Sequence, residues 1–184
     1  MIKIQKAKID RINQGDIISD VPFIEGVIEI DDVIKIEKIV FPYVIVLSQD
    51  CDLREDYQIL EDHKKTQDKK LLSVLVAPIY NADHVFTGEH LSEIGIKSNP
   101  INRKATEGDY LVKNQRPRYH FIEFPDEIPL VPSIIDFKHY FSINSLFLLN
   151  LKRENYICTI SELFREDISI RFANYLARIG LPTL

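Results

Sequence analysis

The segment Ser48-Gln49-Asp50-Cys51-Asp52 follows the apolar run Val44-Ile45-Val46-Leu47 and sets one thiol between two carboxylates. Nucleophilic chemistry at Cys51 requires the thiolate, and Asp50 and Asp52 oppose ionisation unless a cation intervenes. The chain has five histidines that could supply one, His63, His84, His90, His120 and His139, and no spacing singles one out. Metal ligation fits less well, because thiolate suits zinc whereas aspartate suits harder ions. A structural role costs least: Cys51 as a small hydrophobe closing a buried strand, with the aspartates capping the turn. A cysteine-dependent hydrolase using Cys51 with His120 or His139 stands beside it as an alternative.

Two further stretches carry usable chemistry. In "KNQRPRYHF", Lys113, Arg116 and Arg118 interleave with Tyr119, His120 and Phe121. Guanidinium groups clamp phosphate and aromatics stack on unpaired bases, so the stretch is a candidate surface for RNA or a protein partner. The bland alternative has Tyr119 and Phe121 facing inward while the arginines pair with nearby acids. In "DFKHYF", Asp136 and His139 would share a face on a helical turn but not on a strand. An aspartate that orients a histidine is an arrangement used in catalysis.

Composition narrows the field. The chain has 184 residues, 45% of them hydrophobic, and a net charge of −5. That is enough apolar material for a packed core, and it provides no overall basic field for nucleic acid. Two cysteines make no disulfide framework. No signal peptide and no membrane-length apolar run is visible, so a cytoplasmic protein without membrane contact is expected. No phosphate-cradling glycine loop or zinc signature is present, and no metal or cofactor is expected.

The elements that must position these residues are mostly strands. "GVIEIDDVIKIEKIV" alternates with period two and reads as a strand pair turned at Asp31-Asp32 with one wet face. That face is expected to carry Glu29, Lys35 and Glu37, with Val27, Ile30, Ile34 and Ile36 opposite. "YVIVLS" and "LLSVLVAPIY" lack alternation and read as central strands buried on both faces. The charged stretch between them, 54–70, reads as a solvated loop or frayed helix. Residues 81–108 carry Gly88, Gly95, Pro100 and Gly108 and read as an insertion of short helices. Strands are expected again at "YLVKN", "RYHFIEF", "PLVPSIIDF" and "SLFLLNL", with "NYICTI" pairing back. From Ser161 the period changes: Phe164, Ile168, Phe172, Tyr175 and Ile179 mark an amphipathic helix over 162–180, stopped by Gly180 and Pro182.

The order "QGDII", "VIVLSQD", "LLSVLVAPIY" and "VPSIIDFKHYF" resembles the PemK/MazF-type toxins over roughly residues 14–80, with an echo at 130–145. The resemblance implies a small bent antiparallel SH3-like β-barrel, frequent dimerisation, and metal-independent cleavage of single-stranded RNA. The family uses an arginine before the second core strand and a threonine after Ala-Pro. This chain has Lys38 in "KIVFPY" and Tyr80 in "APIY" at those places. The segment "SQDCDL" and the terminal "RFANYLARIGLP" also resemble uncharacterised bacterial and mobile-element proteins.

The expectation is therefore one α+β domain spanning 1–184. Its barrel core would occupy 14–80 and 109–160, with a helical insertion at 81–108 and a C-terminal amphipathic helix at 162–180. Functionally, a non-catalytic binding module of prokaryotic or phage origin is expected, in a toxin–antitoxin or phage-defence setting. It would contact RNA or a protein partner through Lys113, Arg116, Arg118, Tyr119 and His120, and a homodimer is also expected to be open to it. The alternative is a toxin-type endoribonuclease with rearranged groups, Arg116, Arg118, His120 and Tyr80. The candidate catalytic residues are thus Cys51, Tyr80, His120 and His139.

Overall fold

The computed structural model describes residues 1–5, 9–61 and 67–178. A long hairpin opens the fold: β1 (Asp16–Ile30) pairs antiparallel with β2 (Val33–Val46), from Ile17 opposite Ile45 to Ile30 opposite Val33. Asp31 and Asp32 make the two-residue turn with φ of 51° and 61°. Positive φ at both central residues is the turn geometry that matches strand twist, and aspartate tolerates it. The expected division of faces is corrected. Strand parity puts Val27, Ile34 and Ile36 with Glu29, and Ile28, Ile30 and Val33 with Lys35 and Glu37, so each face mixes aliphatic and charged residues.

The two apolar runs lie side by side as expected. β3 (Ser73–Asn81) pairs with β2 antiparallel, Val44 opposite Pro78 and Val46 opposite Val76. Where they pair, over Val44–Val46 and Val76–Pro78, both strands are covered on both faces. Val44, Val46, Val74 and Val76 enter one apolar cluster, while Ile45, Leu47, Ala77 and Ile79 enter another. Burial on both sides is why these runs lack alternation.

The other strands are short. β4 (Tyr119–Ile122) pairs with β5 (Ser133–Asp136), β6 (Phe141–Asn144) pairs with the start of β3, and β7 (Tyr156–Thr159) pairs with the start of β1. The seven strands run in the order β4-β5-β3-β2-β1-β7, with β6 on β3. All pairings are antiparallel and the path is open, so the expected closed barrel is not formed by strand pairing. Residues 2–5 bond to both terminal strands' surroundings instead: Ile2 N–H donates to Glu123 O at 2.8 Å, and Gln5 N–H to Thr159 O at 2.8 Å.

Helices cover the sheet on both sides. α1 (Asp50–Glu61), α2 (Ala82–Thr87), α3 (Thr106–Val112) and α4 (Ser145–Asn155) bring Leu53, Val85, Leu111 and Leu148 onto one face. α5 (Glu162–Leu176) brings Ile168 and Phe172 onto the other. α5 begins after Ser161 as the periodicity predicts, whereas Ile179, Gly180 and Pro182 lie outside the described residues. Three expectations are corrected. "YLVKN" belongs to the end of α3, "SLFLLNL" is α4, and "NYICTI" pairs with β1 rather than folding back. Asn144 decides the second of these, because its side chain accepts the Phe147 N–H at 3.0 Å and starts a helix where a strand was read.

A buried ion pair ties the layers. Lys152 of α4 and Asp16 of β1 are almost wholly inaccessible, with Nζ 2.7 Å from Oδ2. Lys152 also donates to the carbonyls of Ile9 and Arg11, at 2.9 and 2.6 Å, and Thr159 Oγ1 donates to Asp16 at 2.5 Å. Removing one member strands the other charge in the core, so Lys152→Met should cost about 3–5 kcal/mol in a urea titration. A loss under about 1 kcal/mol would show that the pair is not what joins α4 to β1.

Candidate functional site

β3 carries Pro78, whose nitrogen has no hydrogen to donate. Opposite it the neighbouring chain leaves the sheet. β5 pairs with Ile79–Asn81 and β6 with Ser73–Val76, while residues 137–139 form a 3-10 turn between them. That turn presents Asp136 and His139 together. Asp136 is fully buried, and its carboxylate accepts from Arg118 Nε at 2.8 Å and from the Lys138 N–H at 3.0 Å. His139 Nδ1 lies 3.2 Å from Asp136 Oδ2. A carboxylate bonded to arginine can only accept, so the proton sits on His139 Nδ1 and the lone pair on Nε2. Among the described residues Nε2 has no hydrogen-bond partner.

Tyr80, near the end of β3, places its hydroxyl 3.4 Å from His139 Nδ1. Its ring meets that of His90 edge to face at 5.0 Å. Burial pushes the Tyr80 phenol up, and the Asp136 charge adds to this, so it remains protonated. Burial pushes His139 down against the pull of Asp136, and Arg118 and Lys138 act in the same sense as burial. His90 is likewise lowered by burial. Tyr80 therefore stands between two imidazoles that are neutral at pH 7.

These rings wall a cleft between the base of the hairpin and the insertion. One hollow of about 310 Å³ is lined by Phe41, Tyr80, His84, Glu89, His90 and Glu93. A neighbouring hollow of about 250 Å³ adds Phe23, Glu25, His139 and Phe141. Gly88 holds the insertion in place. With φ of +81° it closes α2, and a Cβ there would collide with the Ser98 carbonyl. The loop bearing Glu89 and His90 follows directly. Glu89, His90 and Glu93 reach the cleft only through this fold-back, and no residue pattern announced them.

The remaining candidates lie elsewhere. Cys51 is exposed in the first turn of α1, which corrects the buried strand end expected for it. Among the described residues its thiol bonds to Gln49 Oε1 at 3.6 Å and Asp52 Oδ1 at 3.5 Å, and to no imidazole. Burial raises the neighbouring Asp50, but the hydrogen bond and charge of Arg11, the Arg165 cation and the Gln14 N–H outweigh it, and the net direction is down. Asp50 thus anchors the start of α1. His63 lies outside the described residues.

The stretch 113–121 is not one strand, since α3 ends at Val112 and β4 starts at Tyr119. Lys113 pairs with Asp109 at 2.7 Å, Arg116 lies 3.9 Å from Glu107, and Arg118 is held by Asp136. Tyr119 and His120 are buried. Tyr119 faces inward, and Arg118, held by Asp136, stacks 4.8 Å above its ring. Among the described residues no group of three or more His, Cys, Asp or Glu is gathered for a metal ion, and no helix is long and apolar enough to cross a membrane. No family model and no curated protein matches the chain.

His120 gives a pH signature. Burial, then the Arg171 cation, pushes it down to about 3, and its Nδ1 has no hydrogen-bond partner among the described residues. The unfolded chain therefore binds one more proton as pH falls from about 6.5, and the associated stability is full above that value and lost toward the folded pKa. Between pH 6.5 and 4, wild-type stability should fall more steeply than that of His120→Leu, by a slope approaching ~1.4 kcal/mol per pH unit. Equal slopes in urea titrations would place His120 in contact with solvent.

Proposed function

We propose that this chain is a non-catalytic binding module whose cleft takes a cationic side chain from an extended segment of a protein partner. One observation carries the reading: aromatic walls at Phe41, Tyr80 and His90 are rimmed by Glu25, Glu89 and Glu93. Aromatic faces attract cations, and rim carboxylates add to that attraction while repelling phosphate. The net charge of −5 acts in the same sense. The engagement of Arg118 by the buried Asp136 also favours a protein over RNA. A hollow of about 310 Å³ has room for one long side chain and little more. A prokaryotic or phage setting and the PemK/MazF-type barrel ancestry belong to this proposal. The second is supported by "QGDII", "VIVLSQD" and "LLSVLVAPIY" leading into or lying on the consecutive paired strands β1, β2 and β3.

A second reading, the metal-independent endoribonuclease, is favoured by the Asp136–His139 contact of 3.2 Å, which leaves Nε2 as a base. Arg118 is already neutralised by Asp136, so exposed Lys138 would be the cation facing a phosphate.

Short lysine- or arginine-containing peptides should shift the amide resonances of Tyr80, His90 and Glu93. Glu89→Lys with Glu93→Lys should weaken that binding by about tenfold or more, and Arg116→Ala should leave it unchanged. Binding of a single-stranded oligoribonucleotide instead, weakened by Arg116→Ala, would overturn the protein-partner reading. For the nuclease, a fluorogenic RNA should be cleaved in EDTA and His139→Ala should stop it. Cleavage with that dependence would replace the binding-module reading.

A further inference from the structure

The first hairpin outruns the sheet. β7 meets β1 only at Asp16, Ile17 and Ile18, and β3 meets β2 only at Val44, Ile45 and Val46. From Ile24 round to Val40 the two strands pair, among the described residues, only with each other. An isolated two-stranded ribbon is marginal in water. This one also exposes Ile24, Val27, Ile34, Ile36 and Val40 on a single face, at 45–65% of their full area. A contiguous aliphatic face flanked by unpaired edges marks an association surface.

We propose that a second copy of this chain covers that face, with the two arms stacked antiparallel about a two-fold axis. The pairing register makes the face self-complementary. Val27 lies opposite Ile36 at its centre; two residues toward the tip Glu29 lies opposite Ile34; toward the base Ile24 lies opposite Lys38. A two-fold axis across the strands at the Val27–Ile36 level brings the tip level of one arm over the base level of the other. β1 then lies over β1 and β2 over β2 of the second copy, so that Glu29 faces Ile24 and Ile34 faces Lys38 of the second copy, and Glu29 and Lys38 of the second copy are diagonal neighbours in each of the two symmetry-related levels. Stacked sheets lie about 10 Å apart, within joint reach of a glutamate and a lysine one strand apart. Within one arm the two charges sit two levels either side of the centre, roughly 13 Å apart along the ribbon. Among the described residues neither forms an ion pair. An anionic bilayer is the wrong occupant, because Glu29, Asp31 and Asp32 crowd the tip. The opposed ends fit a copy of the same face better than a uniformly charged partner.

Sedimentation velocity on the full chain, from micromolar to several hundred micromolar, tests this directly. Wild type should move from the 21.4 kDa chain mass to twice that value. Glu29→Lys alone and Lys38→Glu alone should each weaken the dimer about tenfold or more, since each sets like charges against each other. An equimolar mixture of those two variants should regain wild-type affinity, because one chain then offers two cations and the other two carboxylates. Ile36→Asp should give monomer with an unchanged far-UV spectrum. Wild type that stays monomeric would overturn the proposal. So would a dimer indifferent to both charge changes, a mixture that does not recover, or arm-dependent capture by anionic vesicles without dimerisation.

Discussion

A carboxylate with no access to water must be held by donors on every side, and Asp136 is the group on which the candidate site turns. Its partners come from separate parts of the chain: Arg118 just before β4, the Lys138 N–H, and the His139 ring. The register of β4 with β5 sets Tyr119 opposite Asp136 and so delivers Arg118 to it. The interruption opposite Pro78 frees the turn that carries His139. Meeting the demands of one buried charge thus fixes a guanidinium, an imidazole and, through His139, the position of Tyr80 relative to the cleft.

The rest of the architecture frames that cleft. The paired ends of β2 and β3 supply a floor buried on both faces, and the insertion folds back at Gly88 to add His90 and the acidic rim. The base of the hairpin supplies Phe23 and Phe41, whose rings meet Phe141 at 5.2 and 5.4 Å. The same hairpin changes character along its length. Near the sheet its side chains belong to the core, and beyond Phe23 they face solvent. The proposed recognition at the base and the proposed association along the arm would be two uses of one ribbon.

Local chemistry was legible in the sequence where it is local in the structure. The Asp31-Asp32 turn, the double-sided burial where β2 and β3 pair, and the periodicity of α5 each follow from neighbours in the chain. "SLFLLNL" misled because five apolar residues in a stretch of seven have no resolvable period, and the Asn144 cap starts the helix. "YLVKN" misled for the same reason at the end of α3. Cys51 drew attention through its flanking aspartates, yet Asp50 serves Arg11 and Arg165, at 2.8 and 3.5 Å, and the thiol stands aside. The Asp136–His139 spacing was visible, whereas its value depended on a turn that the sheet register creates. His90, Glu89 and Glu93 were illegible, since only a fold-back of the insertion brings them to Tyr80.

Long-range proton–nitrogen correlation of the His139 ring at pH 7 tests the arrangement around Asp136 most directly. A neutral imidazole is expected, with its proton on Nδ1 and Nε2 resonating as an unprotonated nitrogen. A proton on Nε2, or a ring charged at that pH, would mean that Asp136 does not orient His139 as described.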